Sequence, residues 1–162
     1  MNVVLQPSPD RDKSPVSDSG QTVIKNTEFW PDIDLNKYRD DMRQDGTLSQ
    51  PRVIEAARFA IHETNRRLAD WQRARQKQGY FSLTTVPASQ LDGESVNVQL
   101  YRRAVYCLMQ ASLTERFRSI DATGSGSKRA DSLETTIDAL RRDAAWAIND
   151  IQAINRMTCE LI

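Results

Sequence analysis

The sequence predicts an all-α fold: a four-helix bundle spanning residues 29–153, with a disordered N-terminal arm (1–28) and an extended C-terminal tail (154–162). Three observations carry this. Apolar residues recur at three- and four-residue spacing in three long stretches, the period of a helix that buries one face. Gly, Ser and Pro clusters separate those stretches. The first residues hold Pro7, Pro9, Pro15, Gly20 and several Ser and Asp, with little that would form a core.

The character changes at Phe29-Trp30-Pro31-Asp32-Ile33-Asp34. Asp32 or Asp34 suits the N-cap of a short helix running to about Gln44, and Asp45-Gly46 makes a turn. A second helix is expected from Ser49, an N-cap, with Pro51 in its first turn, to a stop at Gly79. Val53, Ile54, Ala57, Ile61, Thr64, Leu68 and Trp71 form its apolar stripe. Residues 79–93 break the helical period and read as an extended loop or short ribbon, with Asp92-Gly93 turning the chain. The third helix, about Val96 to Ile120, is apolar on two faces. Leu100, Tyr101, Ala104, Val105, Leu108 and Ala111 make one; Tyr106, Met109, Leu113 and Phe117 make the other. A helix apolar on most sides is central, or is covered partly by another subunit. After Thr123-Gly124-Ser125-Gly126-Ser127, a fourth helix runs to about Ala153 on Ala130, Leu133, Ile137, Leu140, Ala144, Ala147 and Ile151. The last residues lose that period.

Composition narrows the function. Twenty-two basic and 22 acidic residues cancel. Strong nucleic-acid affinity comes from basic residues displacing counterions from phosphate, so this balance argues against it without excluding a protein that DNA merely passes. A mean hydropathy of −0.60 fits a soluble chain, and no apolar run approaches the ~18 residues of a membrane span. No basic segment followed by an apolar core opens the chain, so a cytosolic protein is expected. Cys107 and Cys159 read as two free thiols. With His62 as the single histidine, they make no closed zinc site unless carboxylates or a second chain contribute. No metal, cofactor or membrane partner is expected.

No catalytic set emerges either. Gly124-Ser125-Gly126-Ser127-Lys128 lacks the spacing of a phosphate-binding loop and the strand before it. His62 has Glu63 adjacent, which points elsewhere on a helix, so His62 reads as a partly buried structural imidazole. Asp32, Asp34, Asp40, Asp41, Asp45, Asp92 and Glu94 lack calcium-loop spacing. The second helix carries seven basic residues against three acids. Arg52, Arg66, Arg73 and Lys77 are the DNA-facing candidates there. Glu63 and Asp70, three and four residues from Arg66, Arg67 and Arg73, favour a solvated, ion-paired face. Phe59 projects from the charged side of the second helix and Trp146 from the side of the fourth opposite its apolar stripe. Each reads as ordinary exposure or as an interface anchor. Phe59, Tyr106, Met109, Leu113, Phe117 and Trp146 are therefore the subunit-interface candidates.

Several segments together resemble a known family. They are Phe29-Trp30-Pro31-Asp32-Ile33-Asp34, Met42-Arg43-Gln44-Asp45-Gly46-Thr47, Asp92-Gly93-Glu94-Ser95, Leu100-Tyr101-Arg102-Arg103-Ala104-Val105-Tyr106, Arg141-Arg142-Asp143-Ala144-Ala145-Trp146-Ala147-Ile148 and Glu160-Leu161-Ile162. In this order, over residues 29–162, they resemble the GpL family of head completion and stabilisation proteins of contractile-tailed temperate phages. The resemblance implies a structural virion protein at the head–tail junction, made in the host cytoplasm. Such a protein closes the filled head, replaces terminase on the portal protein, helps retain the double-stranded DNA and offers a surface to the tail or next connector. It also implies an adaptor-like ring of identical copies, commonly a dodecamer, with DNA passing its lumen. The runner-up is a helical nucleic-acid-binding module in packaging or regulation. In the tail, Met157, Cys159 and Leu161 alternate with Thr158, Glu160 and Ile162. That pattern suits strand addition to the portal, with a frayed terminus as the other reading.

Overall fold

The computed structural model describes residues 20, 22–44, 48–121 and 127–155, and their side chains except those of 117–121 and 127–133. The chain begins with two short strands, β1 (Val23–Ile24) and β2 (Ile33–Asp34), paired antiparallel with Ile24 opposite Ile33. Five helices follow: α1 (Leu35–Asp41), α2 (Gln50–Arg67), α3 (Ala69–Lys77), α4 (Val96–Asp121) and α5 (Ser127–Gln152). A 3₁₀ turn at Leu83–Thr85 and a second hairpin, β3 (Gln90–Leu91) with β4 (Glu94–Ser95), lie between α3 and α4.

The helix ends follow local chemistry. Asp34 caps α1, its carboxylate accepting from the amides of Asn36 at 2.8 Å and Lys37 at 3.4 Å. Ser49 holds the N-cap position of α2 without a side-chain cap, and Pro51 sits in the first turn as expected. Helix α3 closes in a Schellman motif: Tyr80 N–H donates to Arg75 O and Gly79 N–H to Gln76 O, with Gly79 at φ +93°. The same two bonds close α5, from Ile154 to Asn149 and from Ala153 to Asp150, with Ala153 at φ +55°.

The expectation of one second helix to Gln78 is corrected. At Leu68 the backbone turns to φ −96°, ψ 4°, and α2 gives way to α3. Leu68 is fully buried. One turn earlier, the buried Thr64 hydroxyl donates to Ala60 O at 2.8 Å, a back-bond that bends helices. Four helices thus become five, accompanied by two hairpins.

Helix α4 is the centre. It packs most extensively against α5 and next against α2, while β4 and the 3₁₀ turn lie on it. Over its described residues, its second apolar face is closed by the chain itself. Tyr106, Met109 and Leu113 are 4%, 0% and 2% exposed. Tyr38 of α1 meets Tyr106 edge-on at 5.4 Å, and its hydroxyl donates to Gln110 Oε1 at 2.8 Å. The N-terminal segment packs on Tyr101 of the first face. Trp30 stacks on Tyr101 at 4.9 Å, meets Phe29 edge-on at 4.8 Å, and donates its indole N–H to Gln72. Such aromatic pairs contribute about 0.5–1.5 kcal/mol each beyond simple burial. Leu83 N–H donates to Phe29 O at 2.8 Å, fastening the 3₁₀ turn to the same segment.

Residues 22–28, assigned to the arm from sequence, belong to this domain. Ile24 is buried and β1 touches α2. The Asn26 side-chain amide donates to Tyr101 Oη at 2.8 Å and to Pro31 O at 3.0 Å. Tyr101 in turn donates to Asn65 Oδ1 at 2.6 Å, and Asn65 closes the circuit onto Asn26 at 3.0 Å. Residues 1–19, the Asp45-Gly46 turn, the 122–126 connection and the 156–162 tail lie outside the described residues.

Candidate functional site

Helix α2 presents an exposed stripe of Arg52, Glu55, Arg58, Phe59, His62 and Arg66. The apolar residues that would cover such a stripe instead face α4, because the helical period turns Val53, Ala56, Ala57 and Ala60 inward together. Phe59 is 55% exposed. Beneath it, Leu108 and Ala111 of α4 floor a groove of about 410 Å3 whose far rim is Arg141 of α5.

Ion pairs that cross between helices frame this groove. Arg116 holds Glu55 bidentately at 2.9 and 3.0 Å, tying α4 to α2. Arg141 reaches Glu115 at 2.7 Å, tying α5 to α4. Glu63 accepts from Arg66 at 2.8 and 3.0 Å and from Arg67 at 2.7 Å, which holds its carboxyl at about 2. Arg116 likewise draws the Glu55 carboxyl below its usual range.

A second hollow, about 600 Å3, opens on the other side of α4 under the β3–β4 hairpin. Its lining mixes charged side chains with Met42, Leu91 and Leu140. Arg102 grips Glu94 at 2.6 and 3.0 Å and lowers the Glu94 carboxyl, while Arg103 reaches Asp143 at 3.2 Å. Cys107 lines this hollow as a buried free thiol, and burial pushes its pKa up, which disfavours the reactive thiolate. Cys159 lies outside the described residues.

The candidates named from sequence therefore separate. Phe59 is on the surface. Trp146 is half-buried, with the Arg142 guanidinium 4.6 Å over its ring. Met109 and Leu113 are buried in the core, and Tyr106 is buried with one edge lining the hollow under the hairpin; the side chain of Phe117 lies outside the described residues. His62 is exposed, which corrects its reading as a partly buried imidazole. Arg52, Arg66, Arg73 and Lys77 are all exposed, but the break at Leu68 interrupts the stripe between the first two and the last two. Arg66 is paired with Glu63 and Arg73 with Asp70. Met157, Thr158, Cys159, Glu160, Leu161 and Ile162 fall outside the described residues. Sequence reading missed the groove, since the chain positions of Phe59, Leu108 and Arg141 carry no local signal that they meet. It also missed Leu91, which the hairpin leaves 60% exposed.

Among the described residues, no group of three or more His, Cys, Asp or Glu is placed to hold a metal, and no helix is long and apolar enough to cross a membrane. Ion-paired helix faces around exposed apolar side chains characterise a helical protein that acts through macromolecular contacts. The chain belongs to the phage head completion protein (GPL) family, whose model matches residues 24–162. It is 41% identical over 152 residues to the head completion/stabilization protein of Escherichia phage P2, covering 88% of this chain and 90% of that one. It is 26% identical over 103 residues to the probable head completion/stabilization protein of Haemophilus phage HP1, covering 64% of this chain and 69% of that one. No solved structure matches. The family suggested by the Phe29–Asp34 and Leu100–Tyr106 segments is thereby established.

Proposed function

We propose that this head completion protein binds the portal of the DNA-filled head as a ring of identical copies, a dodecamer when assembled. It replaces terminase there, retains the packaged DNA, and presents the surface to which the tail or next connector attaches. The observation that carries this is the family match across residues 24–162, which includes every described helix. The surface chemistry supports it. Phe59 and the half-buried Trp146 offer apolar contact area on different helices, as a contact between unlike patches of neighbouring subunits requires. Pairing of Arg66 and Arg73 within the chain lets DNA pass with few cations free to displace its counterions. The terminal segment Met157 to Ile162 docks on the portal in this reading.

Cosedimentation with DNA-filled heads carrying the cognate portal, followed by imaging of the vertex, tests the proposal. A ring at the portal that is lost in Trp146→Ala, and attachment lost on deletion of residues 156–162 with helicity unchanged, are the expected results. A chain that stays in the supernatant but binds duplex DNA tightly and with a steep salt dependence would instead be a nucleic-acid-binding module.

A further inference from the structure

The hairpin and the Phe59 groove occupy opposite sides of α4. Gln99, Arg102, Arg103, Tyr106 and Cys107 line the hollow under the hairpin, whereas Leu108, Ala111, Ser112, Glu115 and Arg116 line the groove. At 3.6 residues per turn these two sets point roughly 180° apart. We propose that Leu91, at the hairpin tip of one copy of this chain, docks head to tail in the Phe59 groove of a second copy. This deepens the assembly reading above by naming the two surfaces that meet.

The tip is built to be rigid. Asp92 and Gly93 both take positive φ, +54° and +75°, the two-residue turn that matches strand twist. Gln99 donates to Leu91 O at 2.8 Å and to Glu94 O at 3.2 Å, and the Glu94–Arg102 pair anchors the return strand on α4. A large apolar side chain is thus held outward on a clamped scaffold, so little conformational freedom remains to be lost on docking. The receiving groove has Phe59, Leu108 and Ala111 as its apolar surface.

Charge points to the same pairing. Three arginines face two glutamates around the groove, while four acids face three cations around the hairpin's hollow. Asp92 beside Leu91 and Arg58 beside Phe59 have no ion-pair partner among the described residues and are exposed. Docking Leu91 brings the acid toward the arginines. Because the two patches differ and lie on opposite sides, each added copy leaves one of each free. Such a contact propagates into a ring or chain and does not stop at a pair.

The test is a chain with Gln90→Cys, beside the intact Leu91, and Ser112→Cys in a Cys159→Ser background, treated with a short bis-maleimide. It is run on DNA-filled heads and on the free protein at high concentration. The buried Cys107 stays, and its background is read from the two variants that carry one added cysteine each. A ladder of covalent multimers from the double variant, with monomers from each single variant, is the expected result. Monomers only from the double variant, or dimers from Gln90→Cys alone, overturn the head-to-tail contact. Attachment to heads without a ladder sinks this contact and leaves the head-binding reading standing. A ladder in solution without attachment does the reverse.

Discussion

At the scale of single residues, this protein is held by polar groups placed where its aromatics would otherwise be loose. The Tyr101 hydroxyl both accepts from Asn26 and donates to Asn65, and burial pushes its phenol pKa well up. Tyr101→Phe keeps the ring stacked on Trp30 but strips the donor from Asn65 Oδ1. The expected cost is about 1–3 kcal/mol, read from urea unfolding, because an unsatisfied group loses its desolvation energy as well as its bond. Glu63 makes a pH prediction. Its carboxyl titrates at about 2 in the folded chain, against an ordinary value of 4.5, chiefly through the bond from Arg66. The unfolded chain therefore binds the proton first as pH falls. Stability contributed by this carboxylate is complete above about 4.5 and is lost as pH drops towards 2. In Glu63→Gln, the fall of the unfolding midpoint across that window should be shallower than in the parent. An identical pH profile would show that the two arginines contribute nothing through this group.

At the scale of elements, helices were legible wherever the apolar period ran unbroken, because that period is a local property of the chain. The stripes on α2, α4 and α5 fall where the spacing places them, and Asp34 and Pro51 mark starts by their own chemistry. The break at Leu68 was not legible, since apolar spacing continues through Leu68 to Trp71 and the bend comes from burial and a back-bond. Strand β1 was hidden for another reason: its two residues pair with a segment ten positions on, and neither half is apolar enough alone. The second face of α4 misled most. Its large side chains suggested a sister subunit, but Tyr106, Met109 and Leu113 are buried within the chain, Tyr106 against Tyr38 of α1. Of the groove, only the exposure of Phe59 was legible, for exposure follows from helix phase whereas a groove needs three helices in place. Turn residues yield a paired prediction. Nothing lies within 4 Å of a Cβ placed on Gly93, yet its φ is +75°. Gly93→Ala should therefore destabilise by about 1–2 kcal/mol through backbone strain alone. Ala153 carries the converse strain at φ +55°. Ala153→Gly should gain up to about 1 kcal/mol in thermal or urea unfolding, the relief of strain exceeding the added freedom of the unfolded chain.

At the scale of the whole molecule, closure of the core within one chain decides how assembly is controlled. A protein that needs neighbours to cover its main helix unfolds at a midpoint that rises with concentration, because association is linked to folding. Among the described residues, α4 is covered by α2, α5 and the residues before α2, and the exposed large apolar side chains are Phe59, Phe81, Leu91 and Ile154, on separate elements. The free chain should consequently unfold at the same urea midpoint across a hundredfold range of dilute protein concentration. Phe59→Arg, at an exposed position, should shift that midpoint by no more than about 0.5 kcal/mol in stability. If the proposed contact holds, the same substitution should nevertheless abolish multimers on the head, since it places a charge in the Phe59 groove. A midpoint that climbs with concentration would mean that the fold itself depends on sister copies. A Phe59→Arg chain that still forms the ring would remove the groove from assembly. With the proposed head-to-tail contact, stability and association would be carried by different residues: a folded monomer would wait in solution, and the filled head's vertex would supply the local concentration that joins copies together.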